Sequence, residues 1–447
     1  MASETPGPAA AGDPAASVGV EHDFGFVPRF ESGTTGKTYD SLLEATADSA
    51  ALSLDFQSLG VFLRTGYFLA NSTPFREIRR VGPAPTIVEA VARTRKAAIE
   101  EYVVLFRQAV RRRADRRTAL ALSGGADSRH ILLELHAQRA LPDYALTVGV
   151  PGRKREVEIA ASLAERTGAR HIVVTPDPRH AVEDELWKNP ACDFLALDHG
   201  WFVSTARSRD DLPWWDGIAG DVLSAGHFLY EWNSALFAAG RLDELADRLV
   251  PDRPVPYYYD QRRFPRIDAV AAVRRELERH RGAANPIGSF FMWNRTRSAV
   301  GASTFSLLRP RGQTTLAPFL DRDLWPFLSS LPADMVVDHR LHRETIAISY
   351  PQFADIPYFE KSMKSTRPEQ GTVARGLLFY LLTQCRWDAS TARAALRALR
   401  SALVPGKYRI RGFASTVYVT QLERLLEEAG RRPAALSSPA LPPRASP

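Results

Sequence analysis

The sequence predicts an α/β fold: a parallel sheet with helices on both faces, followed by a largely helical C-terminal layer. Three observations carry this expectation. Between about residues 118 and 175, short β-rich apolar runs alternate with amphipathic runs of helical length. A glycine-rich turn, "SGGADS", stands at the joint between the first such strand and the next helix. From about Leu242 the pattern becomes helical, as in "LDELADRLV", "AVAAVRRELERHR" and "GLLFYLLTQCRW".

Taken in order, residues 1–18 are rich in Ala, Gly, Pro and Ser and read as a disordered segment, as does the tail 431–447. Residues 19–85 form a short N-terminal region whose apolar patches, broken by Gly and Pro, predict short helices and turns. "TIVEAVARTRKAAIEEYVVLFRQAVRRRADRR" predicts one long amphipathic helix from Thr86. Its arginines at 111–117 suit the negative pole of the helix dipole better than a nucleic-acid contact. "TALALS", "YALTVGV" and "HIVVT" predict strands, with helices at "DSRHILLELHAQ" and "EVEIAASLAERTG" between them. The turn at Ser123 therefore lies at the carboxyl end of the first strand, where such sheets bind ligands.

Composition narrows the function classes. The 447 residues carry a formal charge of +7, spread along the chain, so a phosphate-rich ligand suits it as well as nucleic acid. Two cysteines, Cys192 and Cys385, exclude a disulfide framework and favour a reducing compartment. The start "MASETPGPAAAGDPAAS" lacks the basic and apolar regions of a secretory signal, and no apolar run approaches bilayer-spanning length. A soluble, cytoplasmic protein without a membrane partner is expected.

The turn itself suggests a chemistry. Gly124 and Gly125 let backbone approach a ligand closely, and the following helix presents free N–H groups to an anion. Ser123 and Ser128 add hydroxyl donors. Asp127 would repel a bare phosphate but suits a phosphate carrying Mg²⁺, which is commonly held by one or two carboxylates plus phosphate oxygens. No lysine follows the glycines, so this is not the GxxxxGK[ST] loop.

Ser123, Gly124, Gly125, Asp127 and Ser128 match the SGGxDS loop, and the stretch resembles the N-type ATP pyrophosphatase superfamily. "WWDGIAGDVLSAGHF" resembles the SGDGGDELFGGY segment of asparagine synthetases, with Gly217, Gly220, Asp221, Leu223 and Gly226 in place. "TTLAPFLDRDLWPFLSSLPADM" resembles EARVPFLDxxLvxFaxxLP, through Pro318, Phe319, Leu320 and Asp321. "IPYFEKSMKS" stands where that family carries a lysine, making Lys361 its counterpart. The resemblance to the asparagine synthetase carboxy-terminal domain spans roughly Leu54 to Lys364, and residues 86–430 are the expected domain of this type.

That resemblance implies the adenine nucleotide alpha hydrolase-like fold and an AMP-forming, amide-forming ligase using ATP and Mg²⁺. It implies ATP and pyrophosphate binding by Ser123, Gly124, Gly125, Asp127, Ser128 and Gly220. Asp127 and Asp221 would hold the metal, and Lys361 would join them in catalysis. The departures matter equally. Ala2 stands where the family has its glutaminase nucleophile, and no intact glutaminase domain is expected in residues 19–85. Nitrogen would come from ammonia, an amine substrate or a separate glutaminase, which suits secondary metabolism. Ile218 and Val222 replace two acids, and Thr314 replaces the glutamate before RVPFLD, leaving His199, Tyr358, Glu360 or Glu344 as general-base candidates. The pair Trp214–Trp215 reads as packing. Two other functions fit part of the sequence: a tRNA-modifying ATP pyrophosphatase and a degenerate nucleotide-binding scaffold.

Overall fold

A computed structural model shows how these runs assemble. It describes residues 24–430 except 253–260, 307–313, 361–369, most of 385–412 and positions 50, 115, 151, 209, 225 and 227. Both terminal segments expected to be disordered, together with Cys385 and Lys361, lie outside the described residues.

The N-terminal region is more ordered than its sequence suggested. Strand β1 (Arg29–Ser32) pairs antiparallel with β2 (Thr38–Tyr39) and β3 (Ile78–Val81), and helices α1 (Leu42–Ala47) and α2 (Phe56–Thr65) lie between β2 and β3. These strands have at most four residues, too few for an alternating pattern to stand out. Phe24, Phe30, Phe62 and Phe75 enter the same apolar core as Leu132 and Phe319, so the region is packed into the rest of the chain.

Helix α3 (Arg95–Arg111) starts nine residues later than the expected Thr86. Thr94 accounts for the start: its side chain accepts the backbone N–H of Ala97 at 3.2 Å. Only from there does an apolar stripe, including Ala98, Tyr102, Phe106 and Ala109, become buried.

The main sheet has five parallel strands: β4 (Ala119–Ala121), β5 (Tyr144–Val148), β6 (His171–Val174), β7 (Trp214–Trp215) and β8 (Thr315–Leu316). Their spatial order is β6-β5-β4-β7-β8. Helices α4 (Asp127–Ala137) and α5 (Lys154–Thr167) make the two crossovers of the β4-β5-β6 half. Helices α6 (Ala181–Ala191), α7 (Trp201–Ser208) and α8 (Gly220–Leu223) complete the link around β7. The α/β class and the helical C-terminal half are as expected. The tryptophan pair is indeed packing, fully buried on β7, with Trp215 Nε1 donating to Thr118 Oγ1 at 3.0 Å.

The arginine run after α3 does more than meet a helix dipole. Arg112 and Arg113 each donate to the Asp321 carboxylate at 2.8 Å, clamping the end of α3 to the segment after β8. Asp321 is wholly buried. Burial alone would raise its pKa, but Arg113, the Asp323 backbone N–H and Arg112 outweigh it and hold the carboxyl below its ordinary value. The Asp of "PFLD" is thus a structural anchor. Asp321→Asn should lower unfolding stability by about 3 kcal/mol in urea titrations, because two guanidinium groups lose their buried partner. Since the folded pKa is the lower one, this stabilisation is complete above the unfolded value near 4 and is lost as pH falls toward the folded value. Acid unfolding should therefore be steeper in the wild type than in Asp321→Asn.

Candidate functional site

The chain lays β4, β5 and β6 outward in one direction, then returns to place β7 and β8 on the other side of β4. This reversal between β4 and β7 creates a crevice at their carboxyl ends, the usual ligand position in an open parallel sheet. The turn after β4 carries Ser123 to Ser128, and the loop after β7 carries Asp216 to Asp221. Two segments nearly a hundred residues apart thereby meet.

They bound a cavity of about 280 Å³. Leu122, Leu146 and Val148 supply apolar lining; Ser123, Asp127, Ser128, Asp216 and Asp221 supply polar lining. Glycines make the close approach possible. A Cβ on Gly124 would sit 2.9 Å from Phe359 Cβ, and one on Gly217 would sit 2.7 Å from Asp127 Cβ. At Gly220 it would lie 2.7 Å from Asp127 Oδ1 and 2.8 Å from Phe319 Cε2. Neither Gly124 nor Gly125 has a positive φ, so space, more than backbone freedom, requires glycine at 124.

The turn satisfies part of its own polarity. Ser128 Oγ accepts the Ser123 N–H at 2.9 Å, the two hydroxyls bond at 3.1 Å, and Ser123 Oγ accepts Gly125 N–H at 3.2 Å. The Ser–Ser bond consumes one hydroxyl hydrogen, leaving one for a ligand, where two had been expected. Helix α4 has no side-chain cap, so its first N–H groups remain available to an anion.

Asp127 is under electrostatic stress. Burial pushes its pKa well above the carboxylate range, and nearby Asp221 and Asp216 add to the rise. Its Oδ1 is buried and accepts no hydrogen bond among the described residues. The His342 Nδ1 atom lies 3.4 Å away, but burial lowers that imidazole to about 3 and leaves it neutral. Behind it His342 Nε2 meets His130 Nδ1 at 3.1 Å. With no charge beneath it, the part-exposed side of this carboxylate that lines the cavity suits a cation. Among the described residues no three His, Cys, Asp or Glu side chains form a cage of their own. Two carboxylates are the contribution Mg²⁺ takes when phosphate oxygens provide other ligands.

Sequence reasoning missed two participants. Asp216 lines the cavity two residues before Ile218, one of the two positions where an acid had been expected. Arg295 lines it as well and pairs with Asp221 at 3.1 Å. A lone arginine in a helical run has no motif around it, so only the fold could reveal its role. Of the four general-base candidates, His199 alone lines the cavity. Glu344 is paired with Arg95 and Glu360 with Arg343, whereas Tyr358 lies between the guanidinium groups of Arg129 and Arg343. Thr314 contributes its carbonyl, which accepts Trp214 N–H at 2.8 Å.

A family model for asparagine synthase matches residues 101–345. The chain belongs to the asparagine synthase family. A comparison with individually characterised proteins finds no match. Membership supports, at family level, ATP-dependent formation of an amide from a carboxylate and ammonia or an amine. The matched residues contain the Ser123–Ser128 turn, the loop after β7 and the "PFLD" segment, but stop before Lys361. Among the described residues no helix is long and apolar enough to cross a membrane.

The contact at Gly220 provides a test of the geometry. Gly220→Ala should drive Asp127 from its place, cost about 1–3 kcal/mol of stability, and weaken Mg²⁺–ATP binding by at least about tenfold. Calorimetric titration beside thermal unfolding measures both, and wild-type affinity in the variant would refute the arrangement.

Proposed function

We propose that the protein is an AMP-forming ligase of the asparagine synthase family that joins a carboxylic acid to an externally supplied amine or ammonia in secondary metabolism. The observation that carries this reading is that Asp127 and Asp221 line one cavity with Ser123 and Ser128, at the start of α4 and the sheet's switch point. The apolar lining from Leu122, Leu146 and Val148 suits an adenine base, and the turn suits the pyrophosphate end.

In the first step a carboxylate oxygen attacks the α-phosphorus of ATP. The bond to the bridging oxygen breaks, and pyrophosphate leaves with the electron pair. Ser123 and Ser128 line the cavity where pyrophosphate would sit, and Gly124, Gly125 and Gly220 belong to the turns that bound it. Asp127 and Asp221 are the groups that would hold Mg²⁺, which supplies positive charge to the leaving oxygens. Lys361 is assigned to the same charge. Its near neighbour Phe359 donates its N–H to Gly124 O at 2.9 Å, and Arg129 donates to Ile356 O at 2.8 Å, so the chain leading to Lys361 is tied to the turn.

In the second step the amine nitrogen attacks the acyl carbon, AMP leaves, and the nitrogen releases a proton. The reading gives that proton to His199. Burial, Arg295 and Lys188 lower its imidazole to about 3, so it is neutral in the empty cavity, and the negative charge that arrives with a nucleotide would raise its basicity toward that of a proton acceptor. Its position is fixed from below: Lys188 Nζ binds Glu185 at 2.6 Å and Leu197 O at 2.7 Å, steadying the loop on which His199 sits with φ 75°. Cys192 is no glutaminase nucleophile, because burial pushes its thiol up to about 12.

Magnesium-dependent turnover of ATP, with a panel of acids and hydroxylamine as trapping amine, tests the reading. AMP and pyrophosphate should form, and Asp127→Ala should lower the rate by at least about a thousandfold. ADP as product, or nucleotide binding without any turnover across the panel, would reject it, the latter in favour of a scaffold role. His199→Gln should separate the steps: acid-dependent exchange of pyrophosphate into ATP remains near wild type, while amide formation falls about 10²- to 10⁴-fold. Equal losses in both would remove His199 from the second step.

A further inference from the structure

Arg295 belongs to no motif that the sequence offered, yet it reaches the centre of the site. It lies in a π-helical segment, Met292–Val300, a geometry with wider turns than an α-helix and often found at functional sites. One side of this segment is bound to the N-terminal region. Asn294 Oδ1 accepts Ala70 N–H at 2.8 Å, and Arg297 donates to Ala70 O at 2.6 Å, Asn71 Oδ1 at 2.7 Å and Pro83 O at 3.1 Å. Arg295, between them in sequence, lines the cavity.

The guanidinium is held but barely used. It lies 4.9 Å over the Phe228 ring, which is itself stacked on Phe291 at 4.4 Å. Of its five N–H donors, one meets Asp221 Oδ2 at 3.1 Å, its sole hydrogen-bond partner among the described residues. On the functional reading above, Asp221 also serves the metal. A cation on that carboxylate would leave Arg295 beside another positive charge in a partly shielded place, which is unfavourable unless an anion arrives with it. The anion that arrives with the metal is the nucleotide's phosphate chain.

We propose that Arg295 is a phosphate-binding residue of this site, exchanging Asp221 for phosphate oxygens when the metal–nucleotide binds, with the N-terminal region holding it in reach through the π-helical segment. The inference rests on the proposed ATP site. It gives residues 68–83 a function in the ligase: they buttress the wall that carries Arg295.

Calorimetric titration of the full-length protein with Mg²⁺–ATP and with Mg²⁺–pyrophosphate tests this, using wild type, Arg295→Met and Arg295→Lys, each with its thermal unfolding midpoint. Arg295→Met should bind both probes about 10- to 100-fold more weakly with an unchanged midpoint, as expected for loss of a charge-assisted bond, and Arg295→Lys should fall between. Wild-type affinity in Arg295→Met would overturn the proposal and leave Arg295 only a partner for Asp221. If Arg295→Met unfolds or melts early, Arg295→Lys decides: a loss of about threefold or more at an unchanged midpoint supports the proposal, and undiminished affinity overturns it. A wild-type protein that binds neither probe would instead reject the ATP site itself.

Discussion

The site depends on holding one carboxylate, Asp127, part-buried between two chain segments, with one of its oxygens shut away from solvent. In bulk water such a group needs no architecture. Here about three quarters of the side chain is covered, other acids stand close, and one oxygen has no hydrogen-bond donor among the described residues. A charge in that condition either takes up a proton or finds a cation. Glycine at 217 and 220 lets the second loop close over it, because any larger residue would occupy the carboxylate's own space. The neutral His342 beneath it lends no charge, so compensation has to come from the cavity side.

That constraint extends outward into the fold. The two loops can meet only because β4 and β7 are neighbours, and they are neighbours because the chain reverses direction across the sheet after β6. The Asp321 clamp then ties the end of α3 to the stretch after β8. Three motifs that are scattered in sequence therefore have different physical duties. The first two converge on the ligand cavity, and the third holds the sheet's far edge against its helices. Treating every conspicuous aspartate as catalytic would have misassigned Asp321, whose oxygens are fully engaged by arginine.

What could be read from sequence follows from the range of the interactions. The turn Ser123–Ser128 is local: strand, glycines, acid and helix start are contiguous, so its structure was legible. Strands β4 to β6 were readable from alternating runs, whereas β7 and β8 have two residues each and carry no period to detect. Helix α3 was recognisable, but its start was misplaced because apolar spacing continued upstream of the cap at Thr94. Arg295 was invisible because its importance comes from Asp221 and Phe228 in space, not from its neighbours in the chain. Likewise Glu344 and Glu360 looked available until their arginine partners came into view.

The departures from the family pattern are unevenly distributed, and this bears on the chemistry. The complete turn, Asp127, Gly220 and Asp221 are retained. The changes lie beside them: Ile218 and Val222, in the same loop as Asp221, are buried apolar side chains where acids had been expected, and Thr314 uses its backbone to continue the sheet. An acid at Val222 would enter the apolar core, at a cost of several kcal/mol unless paired. The Val222 replacement is therefore part of the packing, while Ile218 gives the cavity an apolar wall between Asp216 and Asp221. Asp216 meanwhile keeps a third carboxylate in the cavity lining. On the proposed function, activation of the acid is the inherited half-reaction, and the delivery and deprotonation of the amine are where this chain differs. A site with that division would accept the same nucleotide chemistry while being selective for a different nitrogen nucleophile.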